Sequence, residues 1–217
     1  MMPWLSIGAF VGAALGVQAL FVALTLMLAR ARGVFVPAAS IGLGPALLAR
    51  PVGPTEVRLG LVPLGAYATL EGSEPEPPLP DGLRRFESLA GPDKALIYLG
   101  PWGLMALALA LVGDPAALAL ACSTWVLGAL SPLSEGAEAV RAAWDYVRQA
   151  PAGSVALGTA TYVVAANLLP FPTLAVGQTL LLAVPEARRD VVRLVGLVAQ
   201  LPWTLGWVVA VVTAGLR

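Results

Sequence analysis

The apolar stretch Pro3–Ala29, which reads PWLSIGAFVGAALGVQALFVALTLMLA, contains no charged residue and is followed directly by Arg30 and Arg32. A hydrocarbon core about 30 Å thick is spanned by roughly 20 apolar residues in a helix, so this stretch is long enough to cross a bilayer. A cleaved secretory signal carries a basic segment before a shorter apolar region, and this stretch has no such segment. We therefore predict a permanent transmembrane helix here.

The charge pattern extends this prediction to the whole chain. Of the 217 residues, 58% are hydrophobic and 12% are charged, whereas soluble domains carry about 25% charged residues. Further uncharged runs are Ala95–Gly113, Pro115–Ser134, Pro151–Pro185 and Leu194–Leu216. We predict an all-α polytopic membrane protein with about four to six transmembrane helices, arranged as a single membrane domain over residues 1–217.

The region after the first span differs in character from these runs. Frequent glycine and proline residues argue against a spanning helix over 34–70, and the β-prone pieces Val34–Val36 and Val57–Val62 indicate a small sheet or loop element at the membrane face. Residues 71–82 are acidic and rich in proline, which predicts an extended, solvated linker. Basic residues after the first span place 30–94 initially in the cytoplasm.

The second half of the chain has two further features. Residues 135–150 predict a short helix, with Val140, Trp144 and Val147 on one face and with Trp144 and Tyr146 as interfacial anchors. The run Pro151–Pro185 is too long for one crossing and contains Pro170, so we expect a helix, a kink and a second helical piece.

Several motifs occur in a fixed order along the chain. They are Ala29-Arg30-Ala31-Arg32-Gly33-Val34, Ile41-Gly42-Leu43-Gly44-Pro45, Val62-Pro63-Leu64-Gly65-Ala66-Tyr67-Ala68, Gly100-Pro101, and Asn167-Leu168-Leu169-Pro170 continuing to Gly177. Together they resemble the framework of the site-2 proteases, intramembrane zinc peptidases of the M50 class. In that family a helix carrying HExxH runs into Ala-Arg-x-x-Gly-Val, and an Asn-x-x-Pro-x-x-x-x-Asp-Gly element follows later. The resemblance covers most of residues 21–180 and implies a site-2-protease-like core.

The positions at which this resemblance implies zinc chemistry hold other residues. The two histidines of the family correspond to Phe21 and Thr25, the glutamate to Val22 and the ligand aspartate to Ala175, and the chain contains no histidine. A zinc peptidase needs three protein ligands and an open position for water. We therefore predict a degenerate member with no catalytic residue, no metal site and no cofactor, in which these four side chains pack in the core or face lipid.

Elements that bind substrate in the family do not require a metal. The resemblance assigns such a role to the strand formed by Leu64, Gly65, Ala66, Tyr67 and Ala68, and to Asn167 beside Pro170. A strand edge can pair with an extended peptide, and the Asn167 amide can bond a partner carbonyl. The alternative is that Asn167 satisfies its own helix where Pro170 breaks it.

These features favour a noncatalytic membrane scaffold or adaptor that binds a transmembrane or juxtamembrane segment of a partner. A structural subunit of a larger membrane complex, and a component of an M50-type peptidase whose active residues come from another chain, remain alternatives. The expected partners are the lipid bilayer and membrane proteins. Nucleic acid is not expected, because 13 basic and 13 acidic residues cancel. We expect the protein to lie in the inner membrane of a bacterium. Cys122, the one cysteine of the chain, is interpreted as a packing residue.

Overall fold

The computed structural model describes residues 3–70 and 78–216. Within this part of the chain the main elements are α1 (Pro3–Ala31), β1 (Ala38–Val52), β2 (Thr55–Ala68), α2 (Gly91–Val112), α3 (Pro115–Leu130), α4 (Ala137–Gln149), α5 (Ala152–Asn167), α6 (Ala175–Leu182) and α7 (Glu186–Gly215). A 3-10 turn covers Phe86–Ser88, and a π-helical turn, Pro132–Gly136, joins α3 to α4.

Three of the described helices, α1, α2 and α7, are long and apolar enough to cross a membrane. A fourth span is possible if α3 and residues 132–149, which are bent by 118°, are counted as one. The prediction of a mainly helical, polytopic membrane fold with a small β-element is confirmed. The break predicted within Pro151–Pro185 is also present, because α5 ends at Asn167 and α6 begins at Ala175.

The chain divides into two compact units. We call Ala14–Leu104 the sheet unit, and Met1–Ala13 with Met105–Arg217 the helical unit. The prediction of one membrane domain over residues 1–217 stays a prediction, since a division by contacts does not show whether each unit folds alone. The predicted linker at 71–82 lies largely outside the described residues, which resume at 78.

The β-element of the sheet unit consists of two long, bent strands in antiparallel register. Val52 pairs with Thr55 at the hairpin, and Ile41 pairs with both Leu59 and Ala66. Gly42 has a φ of 82°, and a Cβ there would lie 2.7 Å from the Val62 carbonyl oxygen. Glycine therefore permits the strands to bend and approach closely.

Only one of the two predicted β-prone pieces is part of a strand. Val57–Val62 lies inside β2, but Val34–Val36 is not a strand, because Val34 makes only an isolated bridge to Arg84. Most of the glycine and proline residues that suggested interruptions lie within β1 and β2, whereas Pro37, Gly53 and Pro54 lie outside them. The sequence pattern could not show that the strands continue through these residues, because it does not reveal the bulges and positive φ angles that allow them to do so.

The core of the sheet unit joins α1, the first part of the β-element and α2. Its buried members are Val22, Leu26, Ala29, Val34, Val36, Ala39, Phe86, Leu89 and Ile97. An ion pair between Arg32 and Asp93 links the end of α1 to the start of α2. The apolar cluster buries the residues around the Ala-Arg-x-x-Gly-Val motif, so that motif has a packing role in this chain.

The helical unit is held together by small residues and indole hydrogen bonds. A Cβ at Gly206 of α7 would lie 2.3 Å from the Ala129 carbonyl oxygen of α3, so the two helices approach closely there. The Nε1 atoms of Trp203 and Trp207 donate to the Trp125 carbonyl oxygen at 3.1 and 2.9 Å. These contacts explain why two tryptophans four residues apart share one face of α7.

Candidate functional site

The α1 positions that the sequence comparison aligns with the family's zinc-binding motif are packed against protein. The Phe21 ring stacks on the Trp102 ring of α2, with centroids 4.8 Å apart and planes 22° from parallel. Val22 is buried in the core of the sheet unit. Thr25, four residues after Phe21 and therefore on the same helical face, is only 1% exposed.

These three side chains do not fit the zinc ion that the family resemblance implies. Zinc in proteins is bound by cysteine sulfur, histidine nitrogen or carboxylate oxygen, and Phe21 and Val22 carry no donor atom. The Thr25 hydroxyl is buried and has no hydrogen-bond partner among the described residues. The Trp102 indole, which is 5% exposed, lies against the Phe21 ring. An aromatic contact therefore occupies this face of α1.

Ala175, which the motif order aligns with the family's aspartate, is the buried first residue of α6 in the helical unit. Its carbonyl oxygen accepts a hydrogen bond of 2.9 Å from the Thr179 hydroxyl, and its methyl side chain offers no ligand. Nearby, a Cβ at Gly177 would lie 1.8 Å from the Phe171 carbonyl oxygen. The retained glycine of this motif is thus required by the close return of the chain after Pro170.

Asn167 bonds to its own helix. Its Nδ2 donates to the Val163 carbonyl oxygen at 2.9 Å, four residues earlier, which corresponds to the structural alternative given above. The exposed Pro170 follows in the connection to α6, and this connection is held to α7 by a 3.0 Å hydrogen bond from the Thr173 hydroxyl to Gln200 Oε1. Binding of a partner by Asn167 and Pro170 stays a prediction.

The predicted binding strand forms an outer strand of the sheet. Ala66, Tyr67 and Ala68 pair with Ile41, Ser40 and Ala39, and those same three residues also pair with residues 57–59. Residues 39–41 therefore have strand partners on both sides. Among the described residues no strand pairs with the other side of 66–68. Gly65 has a φ of 78° at the start of this segment, and the structure does not describe the Leu64 side chain.

Gln18 is a buried polar residue that the motif comparison did not single out. It is 5% exposed, and its Oε1 accepts a 3.2 Å hydrogen bond from the Gly42 amide. Further along α1, Arg30 Nη2 donates to the Val52 carbonyl oxygen at 2.7 Å. Residues 18 and 30 of a helix are about 18 Å apart along its axis, so the β-element runs alongside α1 over that length. In the sequence, the signal for this contact is a glutamine side chain inside a span that has no charged residue.

Near the hairpin, the exposed side chains of Arg58 and Glu56 form an ion pair at 2.5 Å. The hydrogen bond to Glu56 and the negative charge of its carboxylate raise the pKa of Arg58. A solvent-exposed pair of this kind contributes little to stability. No group of three or more histidine, cysteine, aspartate or glutamate side chains that could hold a metal occurs in residues 3–70 and 78–216.

Comparison with known proteins agrees with the motif order. A search of curated proteins found no match. A family model described as Peptidase family M50 matches residues 26–202, from the end of α1 into α7. The match covers well over half of the chain and begins at Leu26. Together with the apolar helices, it identifies an integral membrane protein with a site-2-protease-like core. The chain therefore belongs to peptidase family M50, the family of the site-2 proteases.

Proposed function

We propose that this chain is a noncatalytic M50-family scaffold or adaptor that binds a transmembrane or juxtamembrane segment of a partner protein, in the inner membrane of a bacterium. The stack of Phe21 on Trp102 is the observation that carries the proposal. Phe21 is the residue that the motif order aligns with the family's first zinc ligand, and an apolar contact at this residue supports a noncatalytic role. Val22, Thr25 and Ala175 supply neither a general base nor a ligand set that zinc prefers.

Partner binding combines lateral helix packing with strand addition at Leu64–Ala68. The outer position of Ala66–Ala68 in the sheet supports this mechanism, because an unpaired strand edge presents amide and carbonyl groups to an extended segment. The sheet also exposes the apolar side chains of Leu43, Leu61 and Val62. An apolar segment of a membrane protein is the chemistry that suits both the open edge and this surface.

Photo-crosslinking at one tyrosine of the edge tests the proposal directly. Tyr67 lies on the edge and is 40% exposed, whereas Tyr162 on α5 is 41% exposed and serves as a matched control. Each tyrosine is replaced separately by benzoylphenylalanine in the full chain, and crosslinked partners from membranes are identified by mass spectrometry. We expect Tyr67, but not Tyr162, to capture a peptide from a membrane-spanning or juxtamembrane segment. Equal capture at both positions, or none at Tyr67, would refute strand addition.

The noncatalytic part of the proposal has a separate test. The tagged chain is purified in mild detergent, and zinc is assayed in the same eluate in which co-purifying chains are identified. A stoichiometric membrane partner with no zinc supports a scaffold. Phe21, Val22 and Ala175 carry no ligand atoms, so the isolated chain should hold no zinc. Tightly bound zinc on the isolated chain would therefore contradict the noncatalytic assignment. Zinc retained only by a complex favours a peptidase whose active residues come from another chain.

A further inference from the structure

Helix α4 has the geometry of a helix at a membrane surface. It follows the apolar helix α3 after the π-helical turn Pro132–Gly136, and the chain direction changes by 118° between them. This bend turns α4 away from the axis of α3 and closer to the plane perpendicular to it. Its charged and apolar residues are segregated, and the buried Val147 faces the protein. Such short amphipathic helices occupy the boundary between headgroups and acyl chains.

A basic and aromatic stripe lies along α4, and we call it the Arg141 stripe. It consists of Arg141, Trp144 and Arg148, which share a face because they are spaced by three and four residues. Trp144 is 50% exposed, and the Arg148 guanidinium carbon lies 4.8 Å from the centre of its ring. Val140, Trp144 and Val147, which were predicted on one face, all lie in α4 at spacings of four and three; within that face Trp144 is exposed and Val147 is buried.

Acidic residues lie beside the Arg141 stripe on α4. Glu138 and Asp145 are seven residues apart and lie on a neighbouring stripe of the same helix. Neither Arg141 nor Arg148 forms an ion pair within the part of the chain that the structure describes. Two guanidinium groups without a carboxylate partner therefore flank one half-exposed indole ring.

We propose that the Arg141 stripe binds the phosphate groups of anionic phospholipids at the membrane surface. Guanidinium groups bind phosphate through paired hydrogen bonds, and the tryptophan ring suits the interfacial region between headgroups and acyl chains. Contact with Trp144 restricts Arg148, which lowers the entropic cost of holding its guanidinium at a phosphate. This inference does not depend on the scaffold role.

The dimensions of the stripe favour lipid over a protein partner. A helix of the length of α4, Ala137–Gln149, is about 20 Å long, and the stripe is one side chain wide. A stable protein interface buries about 800 Å² on each partner, which is more than such a stripe offers. Separate phosphate groups, by contrast, need only one guanidinium each, and the negative headgroups complement the two positive charges.

Native mass spectrometry of the full chain with added phosphatidylglycerol or phosphatidylcholine tests this proposal. We expect the wild-type chain to bind phosphatidylglycerol more tightly. Each of Arg141→Gln and Arg148→Gln should weaken that binding about fivefold, and the double substitution about thirtyfold, as expected for arginines near an anionic surface. The double substitution Glu138→Gln with Asp145→Asn removes two charges from the neighbouring stripe and should not weaken it.

Unchanged phosphatidylglycerol binding by the double arginine variant would overturn the proposal, and so would equal binding of both lipids by the wild-type chain. Circular dichroism and tryptophan emission of each variant establish that the fold is retained. A variant that keeps its lipid preference but loses a co-purifying protein would assign the stripe to a protein interface and would also overturn the proposal.

Discussion

The close approach of α7 to α3 leads to a quantitative prediction for Gly206→Ala. A Cβ at Gly206 would lie 2.3 Å from the Ala129 carbonyl oxygen, and real Cβ atoms essentially never approach closer than 3.0 Å. Backbone atoms on both sides of this contact leave no flexible side chain to yield. Helix α7 must therefore move away from α3, which strains the hydrogen bonds from Trp203 and Trp207 to the Trp125 carbonyl oxygen.

Three contributions determine the change in the free energy of unfolding, one stabilising and two destabilising. Alanine in place of glycine within a helix gains about 1 kcal/mol from helix propensity. Overpacking costs roughly 1–3 kcal/mol, and loss of an indole hydrogen bond adds about 1 kcal/mol. Gly8 in α1 also belongs to the helical unit, and a Cβ there would meet nothing within 4 Å. Gly8→Ala therefore gains the propensity term alone, and we expect Gly206→Ala to be less stable than this control by roughly 2–4 kcal/mol, the sum of the other two terms.

Unfolding in mixed micelles of increasing sodium dodecyl sulfate content, followed by tryptophan emission, measures this difference. Because Trp125, Trp203 and Trp207 are joined at the contact, their native emission should also shift to longer wavelength in Gly206→Ala. Stability of Gly206→Ala equal to or greater than that of Gly8→Ala, with unchanged native emission, would refute the close packing of α7 against α3.

Three further changes test other contacts. Gln18→Leu removes the acceptor of the buried Gly42 amide, which costs about 1–3 kcal/mol, so hydrogen exchange of the sheet amides should quicken; unchanged exchange contradicts this. A double-mutant cycle with Phe21→Leu and Trp102→Leu should give a coupling of about 0.5–1.5 kcal/mol in the same unfolding assay, and zero coupling would argue against the stack. Asp114 caps α3 by accepting from the Ala116 amide at 2.8 Å. Asp114→Ala should therefore lose about 1 kcal/mol while Asp114→Asn is nearly neutral, and equal losses would exclude the cap.

Much of the fold could be predicted because hydropathy, charge and proline act locally. The long span Pro3–Ala29 and the break near Pro170 both appear in the helix boundaries. The course of β1 and β2 could not be predicted in the same way. Gly42 and Gly65 adopt positive φ angles only because the strands bend past one another, and the partner of a bent strand is distant in the chain.

The candidate site could likewise be predicted only in part from the sequence. Residue identity alone establishes that Phe21, Val22 and Ala175 offer no zinc ligand, because a side chain's donor atoms do not depend on folding. The motif order likewise indicates the M50 family from the sequence alone. The stack of Phe21 on Trp102 and the hydrogen bond from Gly42 to Gln18 depend on distances between segments far apart in the chain. Such distances are set by packing of the whole unit, so three-dimensional structure was needed to find them.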